Sequence, residues 1–190
     1  MTRARIFLAA GSLFFAGAAL LASRSVAGGG GDDGDAAVLS SLSSAKHSLA
    51  DGVAQAAMPP SVALSAKFED EGKGLSLSVY VAAKGLGDAD SNVLEERAGS
   101  PTAAAWTPET EEFKDVEHVA RSAEQLTLMR LTPLSLADVI AKAQKLQKGT
   151  VISVTPAVRG GKGVFLVRVA ADGKVIALTL DLATGAPLSH

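Results

Sequence analysis

Ser48-Leu49-Ala50-Asp51 recurs as Ser135-Leu136-Ala137-Asp138. An internal repeat constrains a fold more than any single motif does, because one supersecondary unit must then serve twice. Each tetrapeptide opens an amphipathic helix: the Ser hydroxyl caps the first turn and the Asp suits the positive helix end. Ala54 and Ala56 recur as Ala141 and Ala143 at the same offset. Two residues of slippage later, Gly72-Lys73-Gly74-Leu75 recurs as Gly161-Lys162-Gly163-Val164, each time in a turn between two strands, and Leu77 then coincides with Leu166. Two matches in the same order predict a duplicated unit, with copies over residues 36–106 and 107–190. Each copy is expected to pack one or two helices on a three- to four-stranded antiparallel meander, an α+β fold. A lone copy of about 75 residues has a marginal core, so the copies should pack together or share a sheet.

The second copy is the clearer one. Leu136, Val139, Ile140, Ala143 and Leu146 share one face of a helix over 135–146. Lys145 and Lys148 suit its negative end, and Gly149 is placed to close it in a left-handed conformation. Strands follow over 150–157, 164–170 and 175–182, joined by Arg159-Gly160-Gly161-Lys162-Gly163 and by the tight-hairpin signal Asp172-Gly173. Alternation sends Ile152, Val154, Phe165, Val167, Val169, Ile176, Leu178 and Leu180 toward the helices. It sends Ser153, Arg168, Thr179 and Asp181 to solvent. Leu166 then points outward although its repeat counterpart Leu77 points inward, a conflict internal to the pattern.

In the first copy, 37–46 is a short helical stretch and 48–58 a second helix, ended by Pro59-Pro60. A strand over 62–69 turns Leu64, Ala66 and Phe68 inward and Ser65, Lys67 and Glu69 outward. Another over 75–81 turns Leu75, Leu77, Val79 and Val81 inward and Ser76, Ser78 and Tyr80 outward. Beyond Gly85 the copy decays: 93–97 reads as a poorly alternating third strand and 102–106 as a short further one. Thr107-Pro108-Glu109 reads as a helix start, with Phe113, Val116, Ala120 and Ala123 as its apolar stripe and Thr132-Pro133 as its end.

The second copy closes in Leu180-Asp181-Leu182-Ala183-Thr184-Gly185-Ala186-Pro187-Leu188, after the Ala171-Asp172-Gly173-Lys174 hairpin. With the Ser135-Leu136-Ala137-Asp138 helix start, this resembles the PepSY family, whose last strand typically ends in a similar Asp-x-x-x-Gly turn. The resemblance covers 135–188 well. It is degraded over 48–97, where Arg97-Ala98-Gly99 is at best a remnant of the closing turn. Tandem copies are also similar to the helix-helix-sheet duplication of the β-lactamase inhibitor protein. The resemblance implies an exported bacterial protein with a helix laid on an antiparallel sheet. It also implies non-enzymatic binding or inhibition, protease inhibition in metallopeptidase propeptides being the best-known association.

Residues 1–27 read as a secretory signal: Arg3 and Arg5 in front, an apolar run over 6–22, then Ser25-Val26-Ala27 at the usual cleavage spacing. The run of about 17 residues is at the bottom of the range that spans a bilayer, and a retained anchor is the alternative. Residues 28–35 read as a flexible Gly/Asp spacer, and Asp32, Asp33 and Asp35 lack the distant bidentate Glu of a calcium loop. The chain has no Cys, so it carries no disulfide, no lipid attached through Cys and no thiolate chemistry. Loss of Arg3, Arg5 and Arg24 leaves 15 of the 18 basic residues against 20 acids, a net charge of −5. A secreted or periplasmic chain of that charge has no electrostatic case for nucleic acid or anionic lipid.

Catalytic chemistry is not legible. His47, His118 and His190 are scattered without ligand spacing, and no G-x-S-x-G occurs. Gly160-Gly161-Lys162-Gly163 lacks the following helix of a phosphate loop, and Asp181 suits a turn. No catalytic residue, metal ligand or cofactor is therefore expected, and no binding residue is fixed. Tyr80 and Arg168 are the outward residues most like interface anchors. The expected function is a non-enzymatic exported protein that binds or inhibits an extracytoplasmic protein such as a protease. The alternative is an envelope sensor for a small ligand or metal, with a pocket between the copies.

Overall fold

The computed structural model describes residues 32–70, 72–87 and 91–189; the expected signal segment and the spacer as far as residue 31 lie outside them. α1 (Asp32–Ser41) leads through a single 3-10 turn (Leu42–Ser44) to α2 (Leu49–Ala56), β1 (Val62–Glu69), β2 (Ser76–Ala82), β3 (Leu94–Gly99) and β4 (Glu109–Glu112). Next come α3 (Val116–Leu131), α4 (Leu136–Leu146), β5 (Thr150–Arg159), β6 (Lys162–Ala171) and β7 (Lys174–Asp181). The fold is α+β. Its strands form one antiparallel sheet in the order β4-β3-β2-β1-β5-β6-β7.

The register relates the two halves. Ala66 pairs with Val79 and Phe68 with Leu77; in the second half Val154 pairs with Val167 and Pro156 with Phe165. Counterparts are 88 positions apart, as 66 and 154 are. Ala66 and Val154 also pair with each other where β1 meets β5, so a pseudo-twofold axis passes between them, normal to the sheet. Both halves break register at the same place, between Ala63 and Ser65 and between Val151 and Ser153. This resolves the conflict over Leu166. The Gly-Lys-Gly match is spaced by 89 positions but the strands run at 88, so the counterpart of Leu77 is Phe165, and both are fully buried. Leu166 is half-buried on the opposite face.

Helices cover both faces. α2 and α4 lie on the inner face, each opened by the expected Ser: Ser48 and Asp51, and Ser135 and Asp138, form reciprocal capping boxes. They bury Leu49, Gly52, Val53 and Ala56, and Leu136, Val139, Ile140 and Ala143, against Leu77, Val79, Val81, Phe165, Val167 and Val169. α1 and α3 cross the face expected to be solvated. Asp35 of α1 forms an ion pair with Arg168, and Ser65 Oγ donates to Gln125 Oε1 of α3 at 2.8 Å. α1 touches β7 and β1, and α3 touches β3 and β5, so each helix spans from the other half's last strand to its own half's first. Ser65 is consequently buried, while Arg168, Ser153 and Thr179 are half-buried; Ser78 is buried beside Glu69, to which its hydroxyl donates. A sheet shared by two halves, each bringing two helices, has its centre covered on both sides.

Other local expectations fail for identifiable reasons. Residues 32–35 are not spacer but the first turn of α1. Gly149 does not close α4, which ends at Gln147 with extended geometry. Its φ of 140° serves a close approach of β5 to β6: a Cβ there would lie 2.4 Å from Ala170 O. Residues 102–106 form turns, not a strand; Trp106 is buried, donating from Nε1 to Gly99 O at 3.2 Å and accepting at its carbonyl from Gln55 Nε2 at 2.8 Å. Glu109 begins a strand, not a helix, because the edge of β3 is there to pair with. Asp115 caps α3 instead, its carboxylate accepting from His118 N at 2.9 Å. Of the expected stripe, Phe113 lies before α3 and is half-buried, while Val116, Ala120 and Ala123 are exposed, Val116 by 84%, and the helix buries Ser122, Gln125, Leu126, Leu128 and Met129. Its end at Leu131, before Thr132-Pro133, is as expected.

Candidate binding surface on the first half

Outside the reach of α1, the outer face of β1–β3 is left as an open concavity of about 890 Å³. Its floor follows from strand alternation. Ala66 and Phe68 go inward opposite Val79 and Leu77, so Lys67 and Glu69 line the basin, with Ser76 and Tyr80 from β2 and Glu96 and Ala98 from β3. Ser41 at the end of α1 and Ser44 just after it form one wall; Thr107, Glu109 and His118 form the other.

The charges are partly paired. Lys67 Nζ lies 2.5 Å from Glu69 Oε2 and 5.7 Å from the Tyr80 ring centre. Burial alone lowers the Lys67 pKa, but the Glu69 hydrogen bond and the surrounding negative groups leave it raised. Burial raises the Tyr80 phenol. Glu96 is also raised: burial comes first, the Ser78 hydroxyl and Lys67 oppose it, and Glu69 and Glu111 add to it. Ser78 Oγ donates to Glu69 Oε1 at 2.8 Å, and its single proton cannot serve Glu96 at the same time. Glu96 is thus a half-buried carboxylate whose one near cation is already engaged. Tyr80 meets Phe113 edge-on at 5.1 Å, and Phe113 stacks on His118 at 5.1 Å. His118 Nδ1 lies 2.8 Å from Asp115 Oδ2.

Tyr80 and Arg168, singled out as outward anchors, occupy counterpart positions 88 apart, but neither is a free anchor. Tyr80 is only 7% exposed and belongs to the basin floor; Arg168 is held by Asp35. The concavity has its floor on the first half, while Thr107, Glu109 and His118 of its wall belong to residues 107–190. His47 is half-buried, with no hydrogen-bond partner for Nε2 among the described residues. Among the described residues no group of three or more His, Cys, Asp or Glu is placed to hold a metal. Asp181 makes the turn expected of it, accepting from Ala183 N, Thr184 N and Thr184 Oγ1 at 2.8–3.1 Å. Glu96 and the β4 carboxylates were not legible as part of a site. A usable signal was Asp115, a better cap than Thr107, which leaves room for a strand before the helix.

No helix among the described residues is long and apolar enough to cross a membrane. No curated protein sequence matches the chain. Among solved structures, a candidate lipoprotein of Clostridium difficile 630 is similar at 14% identity and a TM-score of 0.39, over 76% of this chain and 92% of that one. The family described as "Peptidase propeptide and YPEB domain" matches residues 133–190, from the residue after Thr132 through α4 and β5–β7. The matched segment carries the Ser135 cap, the Asp172-Gly173 hairpin and the Asp181–Gly185 turn, and over that stretch the chain is similar to PepSY domains.

Proposed function

We propose that this is an exported, non-enzymatic protein that acts by binding an extracytoplasmic protein, with a protease as the leading target. The observation that carries the reading is the match of residues 133–190 to a peptidase-propeptide family. PepSY domains are generally propeptide- or inhibitor-type modules and not catalysts. We read the first half as a second copy of the same unit, since β1 and β2 stand at a constant offset of 88 positions from β5 and β6. The basin on its outer face, polar and rimmed by an exposed strand, suits contact with another polypeptide. Export is inferred from residues 1–27, with cleavage near Ala27.

The test is stoichiometric. Residues 28–190 are immobilised to capture proteins from culture supernatant, and captured peptidases are titrated with the same protein. Inhibition that saturates at a fixed molar ratio supports the reading. Turnover of a peptidase, esterase or glycosidase substrate, lost on one acidic or His substitution that leaves the fold intact, sinks it.

A further inference from the structure

The outer edge of β4 carries unpaired backbone groups. Phe113 N donates to Leu94 O at 3.0 Å, and Glu96 pairs with Glu111 and Ala98 with Glu109. By the alternation of an antiparallel ladder, Glu109 and Glu111 turn their N–H and C=O toward β3, while Thr110 and Glu112 turn theirs away from the sheet. All four residues are exposed. The opposite edge of the sheet is covered over its last residues: Pro187 bridges to Leu180, and Leu188 N donates to Thr179 O at 2.8 Å.

Side chains set the chemistry of what fits. Glu111 lies beside Glu96, and Glu96 beside Tyr80, so Glu109 and Glu111 extend the basin's outer face to the sheet edge. Among the described residues no ion pair engages Glu96, Glu109, Glu111 or Glu112. A second copy pairing edge to edge would oppose carboxylate to carboxylate, which is destabilising across strands and is how exposed edges resist self-association. An incoming strand with cations on alternate residues meets the opposite situation.

We propose that the β4 edge accepts an extended segment of a partner protein as an eighth strand, with lysine or arginine at every second position lying over Glu109 and Glu111. This rests on the protein-binding reading above and names the partner's chemistry.

The probes are a blocked octapeptide alternating lysine with valine and its counterpart alternating glutamate with valine. Amide exchange and peptide titration are followed by nuclear magnetic resonance. The lysine peptide slows exchange at Thr110 and Glu112, is preferred over the glutamate peptide by about tenfold from two cross-strand charge pairs, and weakens as salt rises. Thr110→Pro removes an outward N–H without removing a β3 hydrogen bond, so it abolishes binding while the fold persists. Glu109→Lys with Glu111→Lys reverses the preference, which keeps the test decisive if the proline variant does not fold. No slowing at Thr110 and Glu112, equal binding of both peptides, or no reversal overturns the proposal. Capture of a supernatant protein equally by wild type and Thr110→Pro also overturns it while leaving the binding reading standing; no capture by either counts against that reading instead.

Discussion

β3 and β7 hold the same position in the two halves and fill it differently. On the inner face β7 presents Ile176, Leu178 and Leu180 opposite Val169, Val167 and Phe165. β3 presents Glu95, Arg97 and Gly99 opposite Val81, Val79 and Leu77. Arg97 spreads its guanidinium over three acceptors: Glu95 Oε1 at 2.6 Å, Ala56 O at 2.6 Å and Ser61 Oγ at 3.0 Å. Ala56 O belongs to the last turn of α2, where a cation meets unsatisfied carbonyls at the negative helix end. Where β7 has Leu180, β3 has Gly99, and the Trp106 indole closes on it. α2 also carries Gly52 where α4 carries Val139; a Cβ on Gly52 would lie 2.5 Å from Leu77 Cδ2. One backbone slot therefore tolerates either apolar packing or a satisfied polar network, and the network ties helix to sheet by direction as well as by area.

The largest expected effect tests whether the halves are one unit. Val154 is fully buried on the pseudo-axis, and Val154→Asp places an unpaired carboxylate there, costing several kcal/mol, of order the whole stability. Urea unfolding read by Trp106 fluorescence and by amide exchange in β6 should give one coincident transition at a lower midpoint. Two separated transitions would break the idea of a jointly stabilised sheet. The next effect targets the contrast itself. Arg97→Ala leaves Glu95 buried without its cation and should cost about 3 kcal/mol, more than Leu178→Ala at about 1–2 kcal/mol on a half-buried strand. Glu95→Ile with Arg97→Leu copies the second half and should recover most of that loss. A double variant less stable than Arg97→Ala would show that the network cannot be replaced by packing.

These residues also show what the sequence made legible. The Ser48 and Ser135 caps and the hairpins could be read because their chemistry is complete within a few residues. The inward set on β1, β2, β5 and β6 followed from alternation except at Leu64 and Ile152, where the register breaks and Ala63 and Val151 stand opposite Val81 and Val169 instead. Glu95 and Arg97 could not be read as inward, because the acceptors that satisfy Arg97 lie 41 and 36 residues away. β4 was hidden by Thr107-Pro108-Glu109, whose local preference for a helix start loses to the hydrogen bonds offered by β3. The burial of Tyr80 and the pairing of Arg168 depend on the paths of α1 and α3 across the sheet, which no local pattern encodes. Of the basin, Lys67, Glu69 and Tyr80 are visible in the sequence as an outward face; Glu96 and Glu111 are not, since 93–97 alternates poorly and β4 reads as a helix start.

A smaller effect separates the entries to the first strand of each half. Gly149 and Ser61 are counterparts. Gly149→Ser forces a side chain into a glycine-only conformation against Ala170 O and should cost about 1–3 kcal/mol. Ser61→Gly removes the hydroxymethyl group whose oxygen accepts from Arg97, with no clash created, and should cost about 1 kcal/mol. Urea midpoints rank the pair, and a costlier Ser61→Gly would place the tighter constraint in the first half.

The smallest expected effect is a slope with pH. Asp51 and Asp138 are lowered from an ordinary 3.8, Asp51 chiefly by the Ser48 backbone N–H and Asp138 chiefly by the Ser135 hydroxyl. The stability they contribute is complete above the unfolded value and is lost as pH falls through the folded one. Both halves have such a cap, so acid loosens both. Glu96 has no titrating counterpart, since Ala177 stands in its place opposite Arg168. Its carboxyl is held above an ordinary 4.5 by burial, with Glu69 and Glu111 facing it and Lys67 and the Ser78 hydroxyl opposing them. The folded protein therefore keeps a proton there at pH values where the unfolded chain has released it. Stability falls as pH rises from the unfolded value through the folded one, opposite in sign to the caps. Glu96→Gln keeps the shape without the charge. It should match the wild type at pH 4, exceed it modestly at pH 7, and leave the loss in stronger acid unchanged. Urea midpoints at pH 3, 4, 5.5 and 7 distinguish the limbs. If variant and wild type run parallel across the whole range, the charge at Glu96 is relaxed by solvent and the first half titrates no differently from the second.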